Sequence, residues 1–219
     1  MRDGEIPAVW EAAGKMGYPY GPLVRMLLLT GQREREVADM SWSEVDLDAM
    51  LWTIPAERMK ADRAHEVPLA PEAVKLLKAL PRWTGGDFVF TTTDGRTHVN
   101  GFGKAKMRVD RLVAQERAKA RAGDDAKPEE QDARPAWVFH DLRRTMRTHL
   151  SALPVQDLVR ELMIAHAKPG LHKVYDQFSY REEKRDCLNL WEARLLTILN
   201  PPPPAKVTDF TAARAKRGA

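Results

Sequence analysis

The sequence predicts an α+β fold that is mainly α-helical and carries one small antiparallel sheet of about three strands. Most of the chain spaces its apolar residues three and four apart, and short β-rich segments interrupt this helical pattern between residues 51 and 95. With 219 residues, of which 43% are hydrophobic, the chain is long enough to bury a sizeable core. This composition excludes wholesale disorder.

The first elements follow from these patterns. Apolar spacing predicts helices over residues 6–16 and 20–29. The segments LWTIP and HEVPL, within residues 51–69, predict two strands, and the polar stretch AERMKADRA between them predicts a hairpin or a flexible β-loop with Lys60 near its tip. The run DFVFTTTDG at 87–95 predicts a third strand, ended by its Asp-Gly pair. The remaining segments are predicted to be helical.

Two segments break the pattern of ordered elements. Residues 122–135 are charged and poor in apolar side chains, which predicts an exposed insertion loop. Four prolines at 201–204 stop any helix that ends near Leu199, and a basic tail follows them. We therefore expect one folded domain over residues 1–199 and a Pro-rich basic tail over 200–219.

Several classes of protein are excluded. No stretch approaches 18 consecutive apolar residues, and the N-terminus lacks a basic leader followed by an apolar segment, so neither a membrane span nor a secretory signal is expected. A single cysteine, Cys187, cannot pair within the chain, which favours a reducing, cytoplasmic compartment. The histidines lack the thiolate or acidic partners of a zinc site, so no bound metal is expected.

The net charge is compatible with a nucleic-acid partner. Lys and Arg total 35 against 31 Asp and Glu, which gives a formal charge of +4. Between Lys104 and Arg121 there are seven basic residues and only two acidic ones. This stretch is either a solvated helix face or a nucleic-acid contact, and the pattern alone leaves both open. Its candidate DNA-binding residues are Lys104, Lys106, Arg108 and Arg111.

Four segments contain the side chains that are suited to catalysis or to ligand binding. They are TGQREREV (30–37), MKADRAHEVPL (59–69), FHDLRRT (139–145) and IAHAKPGLHKVYDQF (164–178). His140 and Arg143 stand three apart at a predicted helix start, where both can face one point, and Arg33 and Glu36 share that spacing. Arginines, histidines, a loop lysine and a tyrosine without an acidic metal cluster are typical of a site for a phosphodiester.

The order and spacing of these segments resemble the catalytic domain of the tyrosine recombinases, the phage integrase family, over about residues 5–195. The runs LLLTGQREREV, HDLRRT and WEARL resemble the integrases of bacterial prophages and genomic islands in particular. One departure is Ile164-Ala165-His166, where the family commonly has Leu-Gly-His. The residues that match the family's catalytic pattern are Arg33, Lys60, His140, Arg143, His166 and Tyr175.

The resemblance implies the mainly helical fold of that domain and a role for each matching residue. Tyr175 would be the nucleophile that forms a 3′-phosphotyrosine bond, and Lys60 would donate a proton to the leaving 5′-oxygen. The family implies that Arg33 and Arg143 bind the non-bridging oxygens, His140 assists proton transfer, His166 bonds the phosphate and Glu36 orients its neighbours. No ATP and no cofactor are implied. Tyr180 remains an alternative to Tyr175, and Arg58 and Arg63 remain alternatives to Lys60.

The implied function is site-specific DNA recombination, in which a prophage integrates and excises. The expected partners are a double-stranded attachment site and further copies of the chain, tetrameric on DNA and monomeric when isolated, at the nucleoid of a bacterial cytoplasm. Type IB topoisomerase-like relaxation and a non-catalytic DNA-binding remnant are the alternatives. The family's N-terminal DNA-binding domains are expected to be absent from this chain.

The resemblance also implies that the segment after Tyr175 packs on a neighbouring protomer during synapsis. Its apolar face is expected to dock on its own domain or to stay mobile when no partner is present. The residues expected on that face are Leu190, Trp191, Leu195 and Leu196.

Overall fold

The computed structural model describes residues 1–133, 137–166 and 179–202. It confirms a mainly helical α+β fold with one three-stranded antiparallel sheet. No helix within those ranges is both long and apolar enough to cross a membrane. The helices are α1 (Ile6–Met16), α2 (Tyr20–Thr30), α3 (Glu34–Ala38), α4 (Pro71–Lys78), α5 (Phe102–Ala122), α6 (His140–Leu150), α7 (Asp157–Met163) and α8 (Arg181–Leu199). The strands are β1 (Val45–Asp46), β2 (Leu51–Ile54) and β3 (His65–Pro68).

Helix α2 lies at the centre of the helical layer. It packs against α1, α4, α6 and α8, while α1 also packs on α5. The apolar residues Leu23, Val24, Leu27 and Leu28 are all buried, as their spacing predicts for a helix covered on several sides. Burial of α2 by so many neighbours fixes the position of its C-terminal end, where the Thr-Gly-Gln-Arg turn begins.

The sheet has the order β1-β2-β3 and places the predicted hairpin beside α8. Trp52 on β2 pairs with Val67 on β3, and both side chains are buried against the helices. Strand β3 contacts α8. The connection between β2 and β3 puts Lys60 in an exposed turn, so the predicted hairpin with Lys60 near its tip is confirmed.

The third strand of the sheet is β1, and the prediction of a strand over residues 87–95 is wrong. Within this fully described segment a single β-bridge forms, between Phe88 and Ser41. The next residue, Val89, is fully buried and its N–H donates to the carbonyl of Met40 at 2.8 Å. The apolar run is therefore explained by burial in the core, and not by pairing with the hairpin.

Helix α8 packs on its own domain and contacts α1, α2, α6, α7 and β3. Trp191 and Leu195 are buried, and the Trp191 Nε1–H donates to the carbonyl of Leu28 at 2.9 Å. These two residues confirm the expected apolar face, to which the half-buried Leu196 contributes in part. Leu190 is 36% exposed, so its placement on that face is wrong. A residue adjacent to Trp191 is rotated about 100° away from it around the helix.

The segment after α5 is mostly exposed, and one residue in it is not. Asp132, in a 3₁₀ turn at Glu130–Asp132, is 3% exposed. Its carboxylate accepts hydrogen bonds from Arg121 Nε at 3.2 Å and Nη2 at 3.0 Å. This ion pair fastens the loop back onto the last turn of α5.

Candidate active site

The site is built around the tight turn that joins α2 to α3. Gly31 ends α2 in a left-handed conformation with φ +64°, and its N–H donates to the carbonyl of Leu27 at 2.9 Å. The next side chain, Gln32, is buried, and its Nε2 donates to the carbonyls of Thr30 at 2.9 Å and Met163 at 2.8 Å. The turn is therefore fixed to the end of α7, which precedes His166.

Replacement of Gly31 by Ala should destabilise the fold by about 2–4 kcal/mol, because the residue would have a left-handed conformation and also overpack the core. A Cβ at this position would lie 2.3 Å from the Sδ of the buried Met146. Gly101 is the matched control: its φ is +84°, and its nearest contact would be Tyr20 Oη at an ordinary 3.4 Å. Urea unfolding of both variants tests this, and equal losses of stability would contradict the role assigned to the Met146 contact.

Arg33 and Glu36 hold each other at the N-terminus of α3. The Arg33 backbone N–H donates to Glu36 Oε2 at 2.7 Å, and Arg33 Nη1 donates to Oε1 at 2.6 Å. Glu36 is 7% exposed, whereas the Arg33 side chain is 36% exposed. The buried carboxylate therefore orients a guanidinium that still reaches solvent.

Arg143 lies one turn into α6 and bridges two other elements. It is 4% exposed, its Nη1 donates to the carbonyl of Gly31 at 3.1 Å, and its Nη2 donates to the carbonyl of Ile164. Burial and the nearby Arg33 lower the pKa of Arg143 to about 10, and Glu36 partly offsets them. The group stays cationic at neutral pH, and the two guanidinium groups together form a centre of positive charge.

His140 occupies the first position of α6, which confirms the predicted helix start. It is exposed, and its pKa is lowered by partial burial and then by the charges of Arg143 and Arg144, while Asp141 opposes this shift. The lowered pKa favours a neutral imidazole, the form that can accept a proton.

His166 lies just past the end of α7 and is held by Glu161. Its Nδ1–H donates to Glu161 Oε2 at 2.5 Å, and its backbone N–H donates to the Glu161 carbonyl at 3.0 Å. Burial raises the pKa of Glu161, but hydrogen bonds from His166 and Arg147 outweigh it and leave that pKa lowered. Because Nδ1 is engaged, Nε2 is the ring atom of His166 that is available to a ligand.

The three basic residues of the hairpin differ in their surroundings. Arg58 is engaged by the carboxylate of Glu44 and by the backbone carbonyl of Glu36, the latter at 2.6 Å. Lys60 and Arg63 are exposed and form no hydrogen bond or ion pair with any part of the chain that the structure describes. This leaves Arg58 least suited to act on a substrate and does not separate Lys60 from Arg63.

Of the two candidate nucleophiles, Tyr180 lies among the described residues and Tyr175 does not. Tyr175 lies outside the described residues, so its assignment stays a prediction. Tyr180 is half-buried, packs against the core and precedes α8 in a left-handed conformation with φ +53°.

His65, on β3, is a buried residue of this region that the sequence analysis did not single out. It is 8% exposed, and burial, followed by the charges of Lys184 and Arg143, lowers its pKa to about 4, against an opposing effect of Glu36. A neutral imidazole therefore lies within electrostatic reach of Arg143, Glu36 and Lys184 of α8. Its alternation with the inward-facing Val67 on a predicted strand was the available sequence signal.

Four of the predicted site residues form one cluster, and two other segments are connected to it by hydrogen bonds. Arg33, Glu36, His140 and Arg143 interact directly or through their charges. His166 follows Ile164, whose carbonyl Arg143 binds, and the Lys60 hairpin reaches the same cluster through Arg58. Two oriented guanidinium groups beside a neutral imidazole can bind a phosphate and move a proton next to it.

Some basic residues on α5 are paired within the fold, and others are exposed and unpaired. Lys106 is engaged by Asp110 at 2.6 Å and lies over the ring of Trp137, 4.1 Å from its centroid. Nearer the C-terminus, Lys119 pairs with Asp124, and Arg121 pairs with Asp132. The residues that are exposed and unpaired within the described parts of the chain are Lys104, Arg108 and Arg111.

A comparison with known families matches residues 2–181 to the phage integrase family. The prophage integrase IntA of Escherichia coli (strain K12) is 31% identical over 166 residues, which are 75% of this chain and 36% of IntA. IntZ of the same strain is 28% identical over 198 residues, which are 89% of this chain and 44% of IntZ. The chain therefore spans less than half the length of these relatives.

Solved structures support the fold. XerH site-specific recombinase bound to its difH substrate has a TM-score of 0.55 at 18% identity, covering 88% of this chain and 54% of that one. XerA recombinase has a TM-score of 0.53 at 18% identity, covering 93% of this chain and 64% of XerA. The catalytic domain of bacteriophage HP1 integrase has a TM-score of 0.50 at 18% identity, covering 93% and 98% of the two chains. The part of the chain that superposes thus has the fold of recombinase catalytic domains.

Proposed function

Because the chain belongs to the phage integrase family, we propose that it cuts and rejoins DNA in site-specific recombination, through a 3′-phosphotyrosine intermediate. The observation that carries this proposal is the convergence of Arg33 and Arg143 beside His140, with Glu36 orienting Arg33. A phosphodiester under attack gathers negative charge on its non-bridging oxygens. Two guanidinium groups stabilise that charge better than ammonium groups do. Each Nη of Arg143 carries a second N–H besides the one that it donates to a backbone carbonyl, and Arg33 gives only its Nη1 side to Glu36.

The chemical step balances with the residues of this chain. The Tyr175 hydroxyl attacks phosphorus while its proton passes to His140, and the bond from phosphorus to the 5′-oxygen breaks. Lys60 donates a proton to that 5′-oxygen, and His166, with a proton on Nε2 as well as the Nδ1–H held by Glu161, donates a hydrogen bond to the phosphate. The new phosphotyrosine bond retains the energy of the broken ester, so rejoining requires no ATP and no cofactor.

The proposed partner is double-stranded DNA in a bacterial cytoplasm, at the nucleoid. Exchange of both strands between two duplexes requires four cleavages, so we propose that four copies of the chain assemble on DNA and separate without it. The names of the relatives, both prophage integrases, support integration of a prophage, and we propose that excision uses the same chemistry in reverse. Topoisomerase-like relaxation would need a single copy, and the family match favours recombination over it.

Covalent capture tests the proposal. The 219-residue chain is incubated with a pool of nicked duplexes randomised around the nick, and adducts that survive denaturation in detergent are recovered and sequenced. We expect adducts enriched in one family of sequences, together with no relaxation of a supercoiled plasmid that lacks that sequence. Failure to form an adduct with any duplex would contradict catalysis, and relaxation without a site would favour the topoisomerase-like activity.

The exposed part of α5 should contact DNA phosphates. With about five phosphates neutralised, log affinity for random-sequence duplex should fall with log salt with a slope of about −4 to −5. Arg108→Gln together with Arg111→Gln should make this slope shallower by about 2. The control pair is Lys75→Gln with Lys78→Gln on α4, which removes the same charge from another exposed surface and should leave the slope unchanged. Equal effects of the two pairs would contradict a contact at α5.

A further inference from the structure

Arg58 joins the base of the Lys60 hairpin to the rest of the active site. Its Nη1 contacts both carboxylate oxygens of Glu44, with Oε2 at 2.5 Å, and its Nη2 donates to the backbone carbonyl of Glu36 at 2.6 Å. Glu36 is the same residue whose carboxylate orients Arg33. One guanidinium group therefore links the chain just before Lys60 to α3, the helix that begins directly after Arg33.

The carboxylate that receives Arg58 is itself held in place. Glu44 Oε2 accepts a hydrogen bond from the Nε1–H of Trp52 at 3.0 Å, and Trp52 is fully buried on β2. The Glu44 side chain is 11% exposed and that of Arg58 is 21% exposed, so solvent screens the pair less than an ordinary surface ion pair. Arg58 thus lies in a shielded and rigid contact.

The hairpin is held firmly on one side of Lys60 and loosely on the other. Arg58 and the buried Met59 fix the chain up to the residue before Lys60. Residues 60–64 are exposed, and the chain becomes buried again at His65. Two residues span at most about 7 Å, so the position of Arg58 limits where the Lys60 ammonium can reach.

We propose that Arg58 is a positioning residue that places the Lys60 ammonium against the leaving 5′-oxygen, by tying the hairpin to Glu44 and to the Glu36 carbonyl. The inference rests on the proposed acid role of Lys60. Arg58 itself does not touch the substrate. It sets the distance between the proton donor on the hairpin and Arg33, the proposed phosphate-binding arginine at the N-terminus of α3, and a displacement of about 1 Å can cost about 10²-fold in rate.

A substrate that needs no proton donor separates this role from a general loss of structure. In a duplex whose bridging 5′-oxygen is replaced by sulfur, the leaving thiolate departs without a proton. The ordinary duplex is the sequence enriched in the covalent-capture experiment. On this duplex, Arg58→Ala should slow adduct formation by about 10²-fold and Lys60→Ala by about 10²–10⁴-fold. On the sulfur-containing duplex both variants should return to within about threefold of the unsubstituted chain, a tolerance set by ordinary surface effects.

Further variants guard against misfolding and unrelated effects. Glu44→Gln keeps an acceptor for Trp52 and weakens only the ion pair, so it should show a smaller loss with the same rescue. Glu57→Ala, at an exposed neighbour of Arg58 in the same 3₁₀ turn, should change neither rate.

The outcomes distinguish the inference from the function on which it rests. Rescue of Lys60→Ala without rescue of Arg58→Ala and Glu44→Gln would overturn the positioning role and leave the acid role intact. Absence of rescue for Lys60→Ala would overturn the acid role, and the positioning role with it. Rescue of all three supports both.

Discussion

Arg143→Lys is expected to slow formation of the covalent DNA adduct by more than about 10³-fold, because a lysine cannot replace the guanidinium donors on the developing phosphate charge. The two carbonyls that Arg143 binds, those of Gly31 and Ile164, would also lose their shared donor. Since Ile164 lies two residues before His166, the substitution should disturb both the phosphate and its histidine.

The matched control is the adjacent Arg144→Lys. The Arg144 side chain is 70% exposed and pairs with Asp141 at 2.9 Å, a surface contact worth little. The rate of adduct formation by Arg144→Lys should stay within about threefold of that of the unsubstituted chain. Thermal unfolding of both variants establishes that adduct formation is measured on folded protein. An Arg143→Lys rate within tenfold of the unsubstituted chain would contradict the assigned role.

Tyr175→Phe should remove the covalent adduct altogether, because the ring without its hydroxyl has no nucleophile. Affinity for the duplex should stay within about twofold, since phosphate contacts from basic groups carry most of it. Tyr180→Phe is the control and should still form the adduct. Loss of the adduct in Tyr180→Phe, with retention in Tyr175→Phe, would transfer the nucleophile to Tyr180.

The local parts of the site could be predicted from the sequence. Arg33 with Glu36, and His140 with Arg143, each lie three apart at a helix start, and that spacing alone places both side chains on one face. Lys60 in a hairpin followed from a polar stretch between two β-rich segments. These features depend on residues close together in the chain, so their pattern is visible without a structure.

The contacts that hold the site together could not be predicted in this way. Gln32 binds the carbonyl of Met163, and Arg58 binds that of Glu36. A backbone carbonyl has no residue-specific signature, and its partner is decided by how distant segments pack. For the same reason the sequence indicated Lys106 as a DNA contact, whereas Asp110 and Trp137 engage it in the fold.

The local sequence pattern also did not reveal which segment pairs with β2 to complete the sheet. Val45 and Asp46 form a strand too short to show an alternation, yet their pairing with Trp52 and Leu51 completes the sheet. The longer apolar run around Val89 has the stronger strand propensity and is instead buried beside Met40. Strand propensity reflects burial on a pleated surface more than pairing, which explains the exchange.

We propose that this chain cleaves DNA by forming a 3′-phosphate ester with Tyr175. The most direct measurement is tandem mass spectrometry of the covalent adduct after digestion of both protein and DNA. We expect a nucleotide joined through its 3′-phosphate to the Tyr175 side chain, with a free 5′-hydroxyl on the released strand. A nucleotide on Tyr180 or on any other residue, or a linkage through a 5′-phosphate, would contradict it.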